Sequence, residues 1–353
     1  MKYGNKKLFL LIPLLLIAFI SIFSLAVFAQ TQTNYDVTVS PVFFDFSSNP
    51  GGQISDKIRL RNDSNSPITI NIKVEKLRGD LNGNFSLNSN NNDGSLSWIK
   101  FSANRIVAKA LEWTDVPFTI NIPKDGAYGY YFAISFEEVK NGQIARNGAQ
   151  LTGAAAVPIL LDVIKEGARS EAKILEFKTA NYVNEYLPVD FTVKVENTGN
   201  IHVKPHGNIF ISNGNSKSLA SLDINPNLGS VIPQSARIFT ASWLDGFAVM
   251  EPIIIDGQPK LDNKGNPQEH LVINWDRLTS FRIGKYDANL LMVFDNGTKD
   301  IPLEANLSFW VFPYKLIAGL IVGLIIIILL VRLALKNYVN RELKRKEKQE
   351  KVL

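Results

Sequence analysis

The sequence predicts an all-β protein with two tandem immunoglobulin-like β-sandwich domains and one C-terminal transmembrane α-helix. Three observations support this prediction. Apolar and polar residues alternate through much of 30–310, turn-forming residues separate the alternating runs, and residues 316–331 are apolar and free of charge. Period-two alternation places one face of a strand in a core and the other in water. Many short strands with turns between them are typical of antiparallel sandwiches.

The alternating runs are the predicted strands. They include residues 68–74, 116–122, 130–136, 189–195, 286–294 and 301–309. Between the last two runs, Asp295-Asn296-Gly297-Thr298 is a strong signal for a hairpin turn. The chain has no Cys, so each core must be held by packing alone.

Length and a polar break predict where the two domains meet. At about 150 residues per domain, 353 residues suggest two. The polar segment 165–170 separates a first domain at 30–166 from a second at 167–310. Residues 244–282 interrupt the second pattern and predict an inserted hairpin or subdomain. Loops on rigid sandwiches often bind partners, whereas the alternative is a hairpin that only covers a sheet edge.

The N-terminus has the pattern of a secretory signal over residues 1–29. Lys2, Lys6 and Lys7 precede a long apolar stretch, and small residues lead up to a predicted cleavage between Ala29 and Gln30. The alternative is an uncleaved membrane anchor, because the apolar stretch is longer than most signal cores.

Near the C-terminus, residues 311–331 predict a membrane span of about 31 Å, at about 1.5 Å per residue. Trp310, Phe312 and Tyr314 are expected to form an aromatic belt at the membrane interface, with Lys315 extending its amine towards water. Arg332 begins a basic tail over 332–353. Because positive residues stay on the cytoplasmic side, we expect a single-pass type I protein with its domains outside the cytoplasm.

The net charge of +5 belongs to the two ends of the chain, and residues 30–310 are net acidic. A nucleic-acid partner is therefore not expected, because the domains lack the basic surface that such binding requires.

Chemistry-bearing residues are scarce. No phosphate loop or catalytic motif occurs, so we expect neither an enzyme, nor a cofactor, nor a metal. His202 and His206, four apart in an extended segment, are too far apart for one ion and are expected to be surface residues. Residues 79–97 are expected to form a long exposed loop. In it, Asp80, Asn82 and Asn84 have the spacing of calcium ligands but lack the required Gly and Glu, which leaves calcium binding by residues 80–94 open.

The first domain resembles the N-terminal domain of the WxL-interacting proteins of bacterial cell surfaces. The resemblance covers roughly residues 35–165, and the layout of the whole chain is similar. The segments that carry it are Val39-Ser40-Pro41-Val42-Phe43-Phe44-Asp45, Pro50-Gly51-Gly52, Ile58-Arg59-Leu60-Arg61-Asn62-Asp63-Ser64, Tyr128-Gly129-Tyr130-Tyr131-Phe132-Ala133-Ile134 and Val157-Pro158-Ile159-Leu160-Leu161-Asp162-Val163. It implies that the first domain is associated with peptidoglycan and the second with host or partner proteins. No individual binding residue carries over.

These observations predict a membrane-anchored bacterial surface protein that binds cell-wall polymer or other surface proteins. The alternative is an accessory subunit of an envelope membrane complex with no wall binding. Gly319 and Gly323 have the spacing of closely packed membrane helices, which favours the alternative.

Overall fold

A computed structural model describes residues 37–89, 93–140, 143–144, 154–214, 218–255, 257–262 and 265–350. The predicted cleavage site, Ala29 and Gln30, lies outside these residues. The predicted fold class is confirmed: two antiparallel-rich β-sandwiches follow one another, and one long apolar helix follows the second.

The first sandwich is built from eleven strands within the described residues. In chain order they are β1 Val37–Ser40, β2 Phe44–Ser48, β3 Gln53–Asn62, β4 Ile68–Gly79, β5 Phe85–Asn88, β6 Ile99–Phe101, β7 Arg105–Ala108, β8 Trp113–Asn121, β9 Tyr128–Lys140, β10 Gln143–Ile144 and β11 Ala154–Val163. One sheet has the order β1-β3-β8-β6 and the other β2-β11-β9-β4-β5, with β7 also paired to β4 and β10 to β9. Strand β2 pairs with β11 in parallel, which returns the N-terminal segment to the sheet opposite β1.

Alternating residues of both sheets meet in the first core. Ile58, Phe118, Phe132 and Ile159 are buried there. Phe44 packs edge-on against Phe118, with ring centroids 5.2 Å apart. The expected alternation is thus the physical basis of this core, since every second side chain of each strand turns inwards.

The second sandwich begins after residues 164–171. Its strands are β12 Ala172–Thr179, β13 Val183–Asn184, β14 Val189–Asn197, β15 His206–Asn213, β16 Ser218–Ile224, β17 Ala236–Trp243, β22 Gly284–Asp295 and β23 Asp300–Val311. They form sheets of order β12-β14-β17 and β13-β23-β22-β15-β16. At the centre of the core, the buried Trp243 packs edge-on against Tyr286 and Phe309. The predicted hairpin turn joins β22 to β23, with Gly297 at φ 88°.

Residues between β17 and β22 form a small inserted unit. It contains β18 Ala248–Pro252, β19 Ile254–Ile255, β20 Gln258–Pro259, β21 Glu269–Ile273 and a 3₁₀ helix, Trp275–Ser280. Strand β18 pairs with β21, and β19 pairs with β20. The insertion is attached to the sandwich by Met250, whose N–H donates to the carbonyl of Leu187 at 2.6 Å.

Each sandwich contains a buried asparagine that closes a turn. Asn62 donates to the carbonyls of Ser66 and Ala108 at 2.8 and 3.0 Å. In the second sandwich, Asn197 donates to the carbonyls of Ile201 and Val231, both at 2.8 Å. Both asparagines are fully buried, so their amides must find hydrogen-bond partners within the protein, which these carbonyls provide.

The C-terminal helix, α1, spans Tyr314–Glu350. Within the described part of the chain it is the one helix long and apolar enough to cross a membrane, and its apolar segment, Tyr314–Asn340, is not buried by protein. The predicted start of the span at residue 311 is wrong, because Val311 is the last residue of β23 and pairs with Gly284. Pro313 lies between the strand and the helix, and its carbonyl accepts the N–H of Ile317 at 3.1 Å. The helix also continues through the basic segment to Glu350.

The expected long loop at 79–97 is only partly a loop. Strand β5 pairs with β4, from Lys76 opposite Asn88 to Gly79 opposite Phe85. Residues Ser95–Trp98 form a 3₁₀ helix. The Asn-rich composition that predicted a loop instead serves the tight turn between two paired strands.

Candidate ligand-binding cleft between the sandwiches

The two sandwiches contact each other through a small apolar cluster. Tyr131, Leu160 and Ile232 are buried together, and Leu77 packs against them. Tyr131 and Leu160 point away from the first core because their neighbours Phe132 and Ile159 point into it. The outer face of the β9–β11 pair is therefore an interdomain surface.

A charged cluster lies next to the apolar one and crosses the same interface. His202, from the second sandwich, has its Nδ1 2.9 Å from Asp162 Oδ2 and its Nε2 3.3 Å from Asp45 Oδ1. The approach at Nδ1 lacks the alignment of a hydrogen bond, so we treat it as an ion pair. Lys204 also pairs with Asp45, and the Tyr131 hydroxyl donates to Asp162 at 3.1 Å.

The pKa values of this cluster favour the fully charged state at neutral pH. Burial would lower the pKa of His202, but Asp162 and Asp45 outweigh it and raise that pKa to about 9. Burial would likewise raise the pKa of Asp45, but His202 and Lys204 lower it to about 2. Burial and the charge of Asp162 raise the pKa of Tyr131, which keeps its hydroxyl a donor.

Backbone hydrogen bonds also join the sandwiches. The N–H of Gly129 donates to the carbonyl of Asn200, and the N–H of Ala236 donates to that of Asp80, both at 2.9 Å. The side chain of Asn200 holds the connecting segment as well: it donates to the carbonyl of Gly167 at 2.9 Å and accepts the N–H of Arg169 at 2.7 Å. Together these contacts define the relative position of the two sandwiches.

A cleft of about 580 Å³ opens beside these contacts, lined by both sandwiches. Besides apolar residues and the carboxylate of Asp93, the lining contains cationic, aromatic and amide side chains: Lys76, Arg78, Tyr128, Tyr130, Asn200 and Gln234. Its volume lies within the usual range for small-ligand sites.

The two cations of the cleft differ in their surroundings. Lys76 is buried and pairs with Asp93 at 2.9 Å, with its amine over the rings of Tyr130 and Phe132. Arg78 is exposed, and no ion pair joins it to another described residue. The guanidinium of Arg78 is thus available to an anionic or carboxylate-bearing ligand.

The expectation of a surface position for His202 is wrong, since its side chain is only 8% exposed. His206 is exposed as expected. Local sequence around His202 gives no sign of Asp45 and Asp162, which come from the other domain. The sequence signal that could have located this cluster is the presence of a carboxylate, Asp45 or Asp162, within otherwise apolar strand segments. A carboxylate that becomes buried needs a cation as its partner.

The oxygens of Asp80 are occupied by hydrogen bonds within the turn. They accept the N–H groups of Asn82 and Asn84 at 2.8 and 2.9 Å and the side-chain amide of Asn84 at 3.0 Å. Among the described residues there is no group of three or more His, Asp or Glu placed to hold a metal.

The predicted membrane-interface residues lie around the junction of β23 and α1. Trp310 and Phe312 are partly exposed next to the helix start, and Tyr314 begins the helix. Lys315 pairs with Glu185 at 2.7 Å, and its side chain is 71% exposed. Arg332 lies inside the long helix, more than four turns beyond this junction.

No protein-family model matches the chain, and no curated protein matches it in sequence. Among solved structures, the class 5 fimbriae chaperone CfaA is 14% identical and covers 78% of this chain and 99% of its own, with a TM-score of 0.35. The YadV chaperone is 11% identical, with coverages of 77% and 100% and a TM-score of 0.34. The E. coli chaperone DraB is 10% identical, with coverages of 77% and 98% and a TM-score of 0.32. At such values the likeness supports no inference about ligand or mechanism.

Proposed function

We propose that this chain is a single-pass, membrane-anchored bacterial surface protein that binds cell-wall polymer in the cleft between its two sandwiches. The resemblance of its first domain to the WxL-interacting proteins supports a peptidoglycan ligand. The protein binds rather than catalyses: His202 is paired with Asp45 and Asp162 across the interface, where it holds the domains together.

The observation that carries the proposal is the composition of the cleft around Arg78. Tyrosine rings with a polar edge suit the faces and hydroxyls of sugars, and the amides of Asn200 and Gln234 suit N-acetyl groups. Wall peptides carry carboxylates, and an unpaired guanidinium binds these in two-point contacts.

Pelleting with isolated bacterial sacculi tests this function. The detergent-solubilised full chain is mixed with sacculi at two salt concentrations, and soluble wall fragments serve as competitor. We expect pelleting that resists salt and is reversed by the fragments. Absence of pelleting at either salt concentration would contradict wall binding.

A matched pair of arginine variants locates the binding site. Arg78→Ala is expected to weaken binding about 10- to 150-fold, since a charge-assisted hydrogen bond contributes about 1.5–3 kcal/mol. Arg105→Ala is the control, because it removes the same charge from an exposed residue far from the cleft. Arg105 lies opposite Asn71, which is about 23 Å from Arg78 along β4 at about 3.3 Å per residue. Equal losses in the two variants would contradict binding in the cleft.

The second candidate function is an accessory subunit of an envelope membrane complex. It is favoured by Gly319 and Gly323, which lie one turn apart on α1, the spacing of closely packed membrane helices. Replacing the apolar half of α1 with an unrelated membrane helix should abolish co-purification of envelope partners under this reading and leave sacculus binding intact under the first.

A further inference from the structure

The inserted unit of the second sandwich leaves large apolar side chains uncovered. Trp275 is 70% exposed, Leu278 60% and Phe281 59%. All three belong to the segment 275–283, which contains the 3₁₀ helix. Exposed apolar side chains grouped on one short segment indicate a surface that contacts something other than water.

Topology places this segment at the end of the sandwich from which α1 departs. Gly284, which begins β22, pairs with Val311, which ends β23. Segment 275–283, which precedes Gly284, and helix α1, which follows Val311, therefore lie at the same end of the sandwich. The opposite end of β22, at Asp295, is about 35–40 Å away at about 3.4 Å per residue.

Contacts confirm this closeness. Phe281 and Ile283 line a small groove together with Val311 and Pro313. The helix begins at Tyr314 with no flexible linker, since the N–H of Tyr314 donates to the carbonyl of Phe312 at 2.8 Å. The segment thus lies next to the end of β23 and to Pro313, which directly precedes α1.

The segment is fixed in place by polar contacts on its inner side. Arg282 pairs with Asp245 at 2.6 Å, and Arg277 pairs with the same carboxylate at 3.5 Å. The ring of Phe247 packs against the rings of Trp275 and Phe281, with centroid distances of 5.6 and 5.7 Å. Both arginines are thus paired with Asp245, whereas Asp276 and the three large apolar side chains remain exposed.

We propose that segment 275–283 is a membrane-binding foot that inserts Trp275, Leu278 and Phe281 into the lipid headgroup interface beside α1. The proposal rests on the membrane anchor of the proposed function. The occupant is lipid because the segment lies at the same end of the sandwich as Trp310, Phe312 and Tyr314, which are at interface depth once α1 spans the bilayer. Two attachments, the helix and the foot, hold the second sandwich in one orientation on the membrane.

The Cys-free chain allows a direct test with one spin label per variant. The full chain is reconstituted in phosphatidylcholine nanodiscs as Leu278→Cys, Leu228→Cys or Ile325→Cys. Leu228 is an exposed leucine of the same sandwich that follows Ile224, which is level with Met292 at the far end of β22. Ile325 is an exposed residue of α1. Accessibility of each label to oxygen and to a water-soluble nickel complex is measured by power saturation.

The label at 278 is expected to be several-fold less accessible to nickel, relative to oxygen, than the label at 228. The label at 325 is expected to be the least accessible to nickel. If the label at 278 is as accessible to nickel as the label at 228 while the label at 325 is in lipid, the membrane-binding foot is refuted and the membrane anchor stands. If 325 is also in water, the anchor itself fails and the foot with it.

Discussion

The charged cluster at His202 makes the stability of the domain interface depend on pH. The rise in the pKa of His202 from 6.5 to about 9 corresponds to about 3 kcal/mol, at about 1.4 kcal/mol per pKa unit. The lowered pKa of Asp45 reflects the same ion pairs, so the two shifts are not added. Because the folded-state pKa is raised, this stabilisation is fully present below pH 6.5 and is lost as the pH rises through about 9.

Urea unfolding at about pH 6 and about pH 10 measures this pH-dependent stabilisation in the wild type and two variants. His202→Gln removes the titrating group, and His206→Gln removes an exposed histidine as a control. We expect the free energy of unfolding of the control to fall between the two pH values by about 3 kcal/mol more than that of His202→Gln. Equal falls in both variants would refute the reasoning, because His202 would then gain no charge-dependent stability from the interface.

Three further substitutions test the packing of the second sandwich by urea unfolding. Asn197→Ala should cost about 2–3 kcal/mol, because it removes both hydrogen bonds that the buried amide donates to backbone carbonyls. The exposed Asn289→Ala is the control and should cost under about 0.5 kcal/mol; similar costs for the two would contradict the role of the buried amide. Trp243→Ala should cost about 3–5 kcal/mol, and a value near that of Asn289→Ala would show that the centre of the core is placed wrongly. Gly207→Ala should weaken β15–β22 pairing, because its Cβ would clash with the carbonyl of Leu291, and wild-type stability would contradict that contact.

The fold was predictable because its main determinant is local. Alternation in β4, β9, β14, β22 and β23 reports directly which side chains are buried. The hairpin turn at 295–298 depends on four adjacent residues. The junction of β23 and α1 was placed three residues early, since apolar residues continue from one element into the next and only Pro313 separates them.

The cleft and its cluster were not predictable, because they depend on which surfaces of two domains meet. Asp45 and His202 are far apart in sequence, and each lies between two apolar residues, as a polar side chain on the outer face of a strand does. Alternation places Tyr131 on the face opposite Tyr130, but it does not say that this outer face is covered by Ile232 of the other sandwich. Such contacts come from domain docking, for which one sequence carries no periodic signal.

Protection of a single cysteine in the cleft tests the central claim most directly. Ala127→Cys places a thiol in the cleft lining, and Ala103→Cys places one on an exposed loop of the same sandwich. The rate of maleimide modification of the full chain is measured with and without soluble wall fragments. Slower modification at 127 and an unchanged rate at 103 are the predicted result; unchanged rates at both positions, with fragments at saturating concentration, would contradict ligand binding between the sandwiches.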